Sequence, residues 1–172
     1  MVGTTVFFWD DKKNLPCIGD HMIYGYLKAA AEAIGRVSDR QRSTVFGSIS
    51  YTQSLINQHV RCEDQFITFD KDIKTNKDGH PRFLQRSLRA MTAQGPRISL
   101  AKSEIVPAGA SLVFNLKVMK ESQLDDLNVL KKLFSYGVMS GLGQWRNAGY
   151  GMFNSTVEKL EEKRTKAKKK KK

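Results

Sequence analysis

The residues best suited to chemistry lie in one segment, Gly141-Leu142-Gly143-Gln144-Trp145-Arg146-Asn147-Ala148-Gly149-Tyr150-Gly151-Met152-Phe153. Its glycines, Gly141, Gly143, Gly149 and Gly151, let the backbone take positive φ and approach a ligand closely. Amides freed in such a loop bind phosphate oxygens, Arg146 supplies a planar cation, and Trp145 and Tyr150 offer ring faces on which bases stack. That combination fits a polyanion carrying aromatic bases. The spacing is not a dinucleotide fingerprint, which needs a strand before and a helix after, whereas here the expected order is helix, loop, strand. It lacks the Gly-Lys-Ser/Thr ending of a Walker loop. Glycine also serves helix caps and bulges, and a tryptophan can simply be core, so the structural reading stands beside the binding one.

Acid–base chemistry has thinner support. His21 stands at the entry to an expected helix, where a lone histidine more often caps or faces solvent. His59 and His80 lie in segments without recognisable geometry. Asp10-Asp11 and Asp125-Asp126 read as structural: adjacent side chains diverge on a strand, and aspartate at a helix start answers the helix dipole. Cys17 and Cys62 form no close pair and have no histidine at metal-ligand spacing. Neither a zinc site nor a disulfide framework is expected, no metal or cofactor is implied, and a reducing cytoplasm fits. Binding is expected ahead of catalysis.

Several elements must position these residues. Residues 4–9, Thr-Thr-Val-Phe-Phe-Trp, read as a strand that stops at the polar run from Asp10 to Asn14. From Asp20 to Arg36 apolar residues recur at helical spacing, with Asp20 in the first turn and Gly35 placed to end the helix. Two β-rich stretches, Thr44 to Tyr51 and Gln65 to Phe69, flank a less regular segment from Leu55 to Arg61. Asp70 to Pro81 reads as an exposed loop or hairpin tip. Residues 97–105 and Ser111 to Val118 both alternate, and Pro107-Ala108-Gly109 turns between them. A second helix is expected after Asp126, with Leu127, Leu130, Leu133 and Phe134 on one face. A last strand is expected over Gly151 to Val157.

The 172 residues suit one ordinary core and carry a formal charge of +12. Residues 158–172 hold nine Lys or Arg against three Glu, so half the excess lies in a basic tail expected to be a solvated, disordered arm. The other half remains on residues 1–157, enough for a folded surface to track a polyanion. No apolar run reaches the length of a membrane span, and no secretory leader pattern opens the chain. No membrane association is expected.

The helix opened by Ile18-Gly19-Asp20-His21-Met22-Ile23-Tyr24-Gly25-Tyr26-Leu27-Lys28, the turn Val106-Pro107-Ala108-Gly109, and the glycine-rich loop after a second helix come in an order that resembles the RAMP superfamily of CRISPR-associated RNA-binding proteins. The resemblance covers about two-thirds of the chain by order of elements, and residues 37–97 fall outside it. It implies an α+β fold with a ferredoxin-like (RRM-like) antiparallel sheet, helices on one face, and an inserted hairpin or irregular subdomain within 37–97. Domain boundaries would be 1–157 for the binding domain and 158–172 for the tail. It places bound RNA near Tyr24 and Lys28 on the helix and near Gly141, Gly143, Arg146, Gly149 and Gly151 in the loop, where Trp145 and Tyr150 are the rings already read as stacking surfaces. Family members that cut RNA carry an aspartate just before the strand matched by residues 4–9. Thr4 or Thr5 stands there here, so that nuclease activity is not expected.

Three functions follow as expectations: sequence-tolerant binding of single-stranded RNA or DNA, RAMP-type cleavage through His21, or assembly through an open sheet edge. So few residues precede Thr4 that the first strand is short, absent or supplied by another chain. A homo-oligomer or a partner chain is therefore expected, beside the alternative that residues 4–9 are themselves the first strand of a complete monomer.

Overall fold

The computed structural model describes residues 3–40, 49–71 and 83–160. The β-branched and aromatic residues near the start form two short strands, not one, β1 (Gly3–Thr5) and β2 (Phe8–Asp10), interrupted at Val6 and Phe7. The break has a cause. The Phe7 amide turns aside to donate to the Glu104 carboxylate at 2.9 Å, while Asp10 ends β2 by accepting the Lys12 and Lys13 amides.

Strand β3 (Leu15–Gly19) leads into helix α1 (Asp20–Arg40), which opens with Asp20 in its first turn and carries Gly35 without stopping. The expected glycine stop is therefore corrected: Gly35 is buried, and the helix continues past it to Arg40. Helix α2 (Ile49–His59) replaces the end of the strand expected over Thr44 to Tyr51 and most of the irregular segment from Leu55; residues 44–48 lie outside the described residues. Leu55 and Ile56 are buried, so core contacts override the local β propensity of Tyr51 and Thr52.

Strands β4 (Val60–Cys62) and β5 (Phe66–Thr68) follow. Most of the loop read over Asp70 to Pro81 lies outside the described residues. Strands β6 (Phe83–Thr92) and β7 (Gly95–Glu104) then form the longest hairpin, paired in full register from Phe83 with Glu104 to Thr92 with Gly95. Gly95 takes φ 102° at the turn, and the Thr92 hydroxyl donates to its carbonyl at 2.8 Å. Residues 97–105 thus form the strand expected of them, with a different partner from the one expected.

Strand β8 (Leu116–Val118) pairs with β4, and Leu112 bridges to Phe69. Between them the Glu63 amide donates to the Asn115 carbonyl. The alternation read over Ser111 to Val118 is real in burial, each odd position being exposed from Ser111 to Lys117, although only its end is ladder. Helix α3 (Leu127–Ser135) is capped by Asp126, whose side chain accepts the Asn128 amide, and buries Val129, Leu130, Leu133 and Phe134. No strand forms over Gly151 to Val157: Gly151 belongs to the turn at φ 74°, and the residues after it have no regular structure.

The chain is mixed α+β, with three small sheets ordered β1-β7-β6, β2-β3-β5 and β4-β8. It divides into two compact units, Met1–Gly25 with Val60–Lys117 and Tyr26–His59 with Val118–Lys172. The first buries Cys17, Ile18, Ile23, Val60 and Ile67; the second buries Leu27, Ala30, Leu55, Ile56, Leu124 and the apolar face of α3. Each fully buried aliphatic side chain contributes about 1.5–3 kcal/mol. Among the described residues no helix is long and apolar enough to cross a membrane.

Candidate nucleic-acid interface

The glycine-rich segment belongs to the second unit and is built from its core outward. Tyr26 is buried in α1, and its hydroxyl donates to the carbonyls of Leu133 (2.9 Å) and Phe134 (3.1 Å) at the end of α3. Those carbonyls are among the last of the helix and need donors beyond it. The Tyr26 ring stacks on Phe134 at 5.9 Å and meets Phe153 at 5.1 Å. Phe153 in turn lies over Gly137, where an added Cβ would stand 2.6 Å from its ring, and its amide donates to the Gly137 carbonyl. Both limbs of the loop therefore start from one aromatic anchor.

Above that anchor the limbs close on each other. The Leu142 amide donates to the Gly151 carbonyl at 2.9 Å. A Cβ on Gly141 would fall 2.0 Å from the Gly151 carbonyl carbon, and one on Gly151 would fall 1.9 Å from the Leu142 oxygen. Gly141 and Gly151 thus make a neck; their lack of a side chain serves loop against loop, a different use from the open phosphate cradle expected of them.

The tip beyond the neck is a wound turn. Gly143, Trp145 and Gly149 all take positive φ, at 88°, 58° and 81°. A left-handed tryptophan costs roughly 1–2 kcal/mol, and the surrounding bonds hold it: the Ala148 amide donates to the Trp145 carbonyl and the Gly149 amide to the Arg146 carbonyl. The turn Arg146–Ala148 brings Tyr150 back onto Trp145, with ring centroids 5.0 Å apart and planes 10° from parallel. Tyr150 and Arg146 are exposed. Among the described residues no carboxylate pairs with the Arg146 guanidinium.

The loop residues named from sequence are therefore gathered on one neck and tip, and Lys28, half-buried on α1, belongs to the same unit. Tyr24 and His21 belong to the first unit. The Tyr24 hydroxyl accepts the Cys62 amide at 2.6 Å, which fastens the start of α1 to β4. His21 is exposed with its ring against Gly19, where a Cβ would stand 2.4 Å from it, and among the described residues it has no acid or base partner.

Sequence reading passed over the cations of the β6–β7 hairpin. Arg86, Arg89, Arg97 and Lys102 stand on it, Lys102 lying 4.3 Å over the Phe83 ring, and its one carboxylate, Glu104, is buried at the base. The signal was present as a run of 21 residues from Phe83 to Ser103 with no acidic side chain. Among the described residues no group of His, Cys, Asp and Glu could hold a metal ion. Neither protein-family models nor curated proteins give a match to this chain.

Proposed function

We propose that this chain binds single-stranded nucleic acid, RNA ahead of DNA, with little dependence on sequence. The observation that carries the reading is the Trp145–Tyr150 stack beside exposed Arg146 on a loop whose neck is fixed by Gly141 and Gly151. A preformed ring stack that includes exposed Tyr150 extends by one base at little ordering cost, and an adjacent guanidinium meets the phosphate that follows. The net charge of +12 and the acid-poor hairpin support it by raising the local concentration of a polyanion.

The similarity to the RAMP superfamily is part of this proposal, as is a ferredoxin-like arrangement. β3 feeding α1 and pairing antiparallel with β5 supports it. So does the β6–β7 hairpin, which lies largely within the region expected to hold an insertion. A repeating assembly is the second reading. It is favoured by β6, a ten-residue strand at the margin of its sheet whose outer edge has no strand partner among the described residues.

Fluorescence anisotropy with a labelled single-stranded RNA tests the leading reading. Tyr150→Ala is expected to weaken binding about tenfold, the worth of one base stack, and Tyr150→Trp to restore it. Equal affinity in wild type and Tyr150→Ala would remove the ring stack from the site.

A further inference from the structure

The sheet β2-β3-β5 in the first unit has two unlike faces. Its register sets Phe8 opposite Cys17, Cys17 opposite Thr68, and Gly19 opposite Phe66. Side chains alternate along a strand, so Phe8, Cys17, Gly19, Phe66 and Thr68 share one face, while Ile18 and Ile67 turn to the other. The isoleucine face is core, with exposures of 3% and 2%. On the opposite face Phe8 and Phe66 remain 55% and 48% exposed. Their rings meet edge to face at 5.2 Å above Gly19 and the buried Cys17. Gly19 is buried beneath the His21 ring, which stands where a side chain on Gly19 would be.

The rim is polar and fixed. Asp10 accepts the Lys12 amide at 3.0 Å, the Lys13 amide at 3.3 Å and the Thr68 hydroxyl at 3.3 Å. Lys12 and Lys13 are exposed, and the Lys13 ammonium stands 4.0 Å from Asp10. Phe8, Trp9, Cys17 and Phe66, with Asp10, Asp11 and Lys12 of mixed charge, line an open cleft of about 470 Å³, within the size range of small-ligand sites.

We infer that this face seats one unstacked base of a bound single strand, with Phe8 and Phe66 against the ring, the Asp10 carboxylate toward base N–H donors, and Lys12 and Lys13 toward the flanking phosphates. The inference rests on the strand-binding reading above and adds a second, separate contact to it. Three parts of a nucleotide differ in chemistry: a π-face, a hydrogen-bonding edge and an anionic backbone. The face offers a match to each within one cleft. A second protein copy fits it poorly, because two phenyl rings ringed by charged groups fall far short of the area a stable dimer buries.

The test uses the full chain and two probes, oligouridylate and an abasic ribose-phosphate strand of equal length. The double variant Phe8→Ala/Phe66→Ala is expected to lose about tenfold in affinity for oligouridylate and nothing for the abasic strand. Phe8→Tyr/Phe66→Tyr keeps the rings and should retain wild-type binding, which separates stacking from any loss of fold. If wild type binds oligouridylate and the alanine variant binds it equally well, the base seat is wrong while strand binding stands. Equal losses on both probes would also overturn it, as would dissociation of an oligomer without change in strand affinity, which would mark the face as a contact between copies. Failure of wild type to bind either probe would overturn the strand-binding reading and this inference together.

Discussion

The Tyr26 hydroxyl is buried and shares its one proton between two carbonyls at the end of α3, and burial raises its pKa well above the ordinary phenol value, so it stays protonated where it sits. Tyr26→Phe removes a buried hydroxyl donor from two carbonyls that the Tyr136 amide still reaches, and is expected to cost about 1 kcal/mol in chemical denaturation. The pH sign follows from the direction of the shift. A raised folded-state pKa gives stability that is complete below the unfolded phenol value, about 10, and is lost as pH rises toward the folded value. Wild type should therefore lose stability above that pH, and Tyr26→Phe should lack that part of the decline. The glycines separate by the same residue-level reasoning. Gly25 has nothing within 4 Å of an added Cβ, so Gly25→Ala should stabilise α1 by about 0.5–1 kcal/mol. Gly151 has φ 74° and a carbonyl oxygen in the way, so Gly151→Ala should destabilise by more than about 2 kcal/mol. Similar thermal shifts in the two variants would mean the neck is not closed as described. Sequence marked this segment as special because glycine is recognisable by type. It could not separate a glycine that admits phosphate from one that admits another limb of the same loop, because that depends on which backbone returns to meet it.

At the scale of elements, legibility followed the partner. Helix α3 and strand β7 were readable because each shows its period locally: α3 in Leu127, Leu130, Leu133 and Phe134, β7 in Ile98, Leu100 and Lys102. Strand β6 was not readable. Both faces of its outer half meet solvent, so Leu88, Arg89, Ala90 and Met91 show no apolar alternation, and only the pairing with β7 makes the segment a strand. The alternation of Ser111 to Val118 was readable, yet its neighbours are Phe69 and β4, because register and partner are set by the fold and not by the nearest turn. Helix α2 was misread because Tyr51 and Thr52 carry β propensity, whereas Leu55 and Ile56 decide the outcome through burial. The exposed hairpin carries a prediction of its own. Arg86→Ala/Arg89→Ala/Arg97→Ala should lower affinity for single-stranded RNA and reduce its dependence on salt, since each lost phosphate contact removes about 0.7 from the slope. Thermal unfolding should stay close to wild type. Unaltered binding and slope would make the hairpin cations a solvated surface.

At the scale of the molecule, a basic chain divides into two units, one carrying the wound loop and the other the hairpin and the β2-β3-β5 sheet. The charge was legible from composition; the division was not, because it depends on which segments pack together. Removing residues 160–172 should weaken binding of long strands while a salt-dependent interaction persists, because +6 remains on residues 1–157. The most direct measurement is the affinity of the full chain and of Arg146→Ala for a single-stranded RNA across a series of salt concentrations. Wild-type affinity is expected to fall as salt rises, and Arg146→Ala to bind more weakly with a slope shallower by about 0.7 at an unchanged melting temperature. Affinity and slope in Arg146→Ala equal to wild type would contradict that expectation.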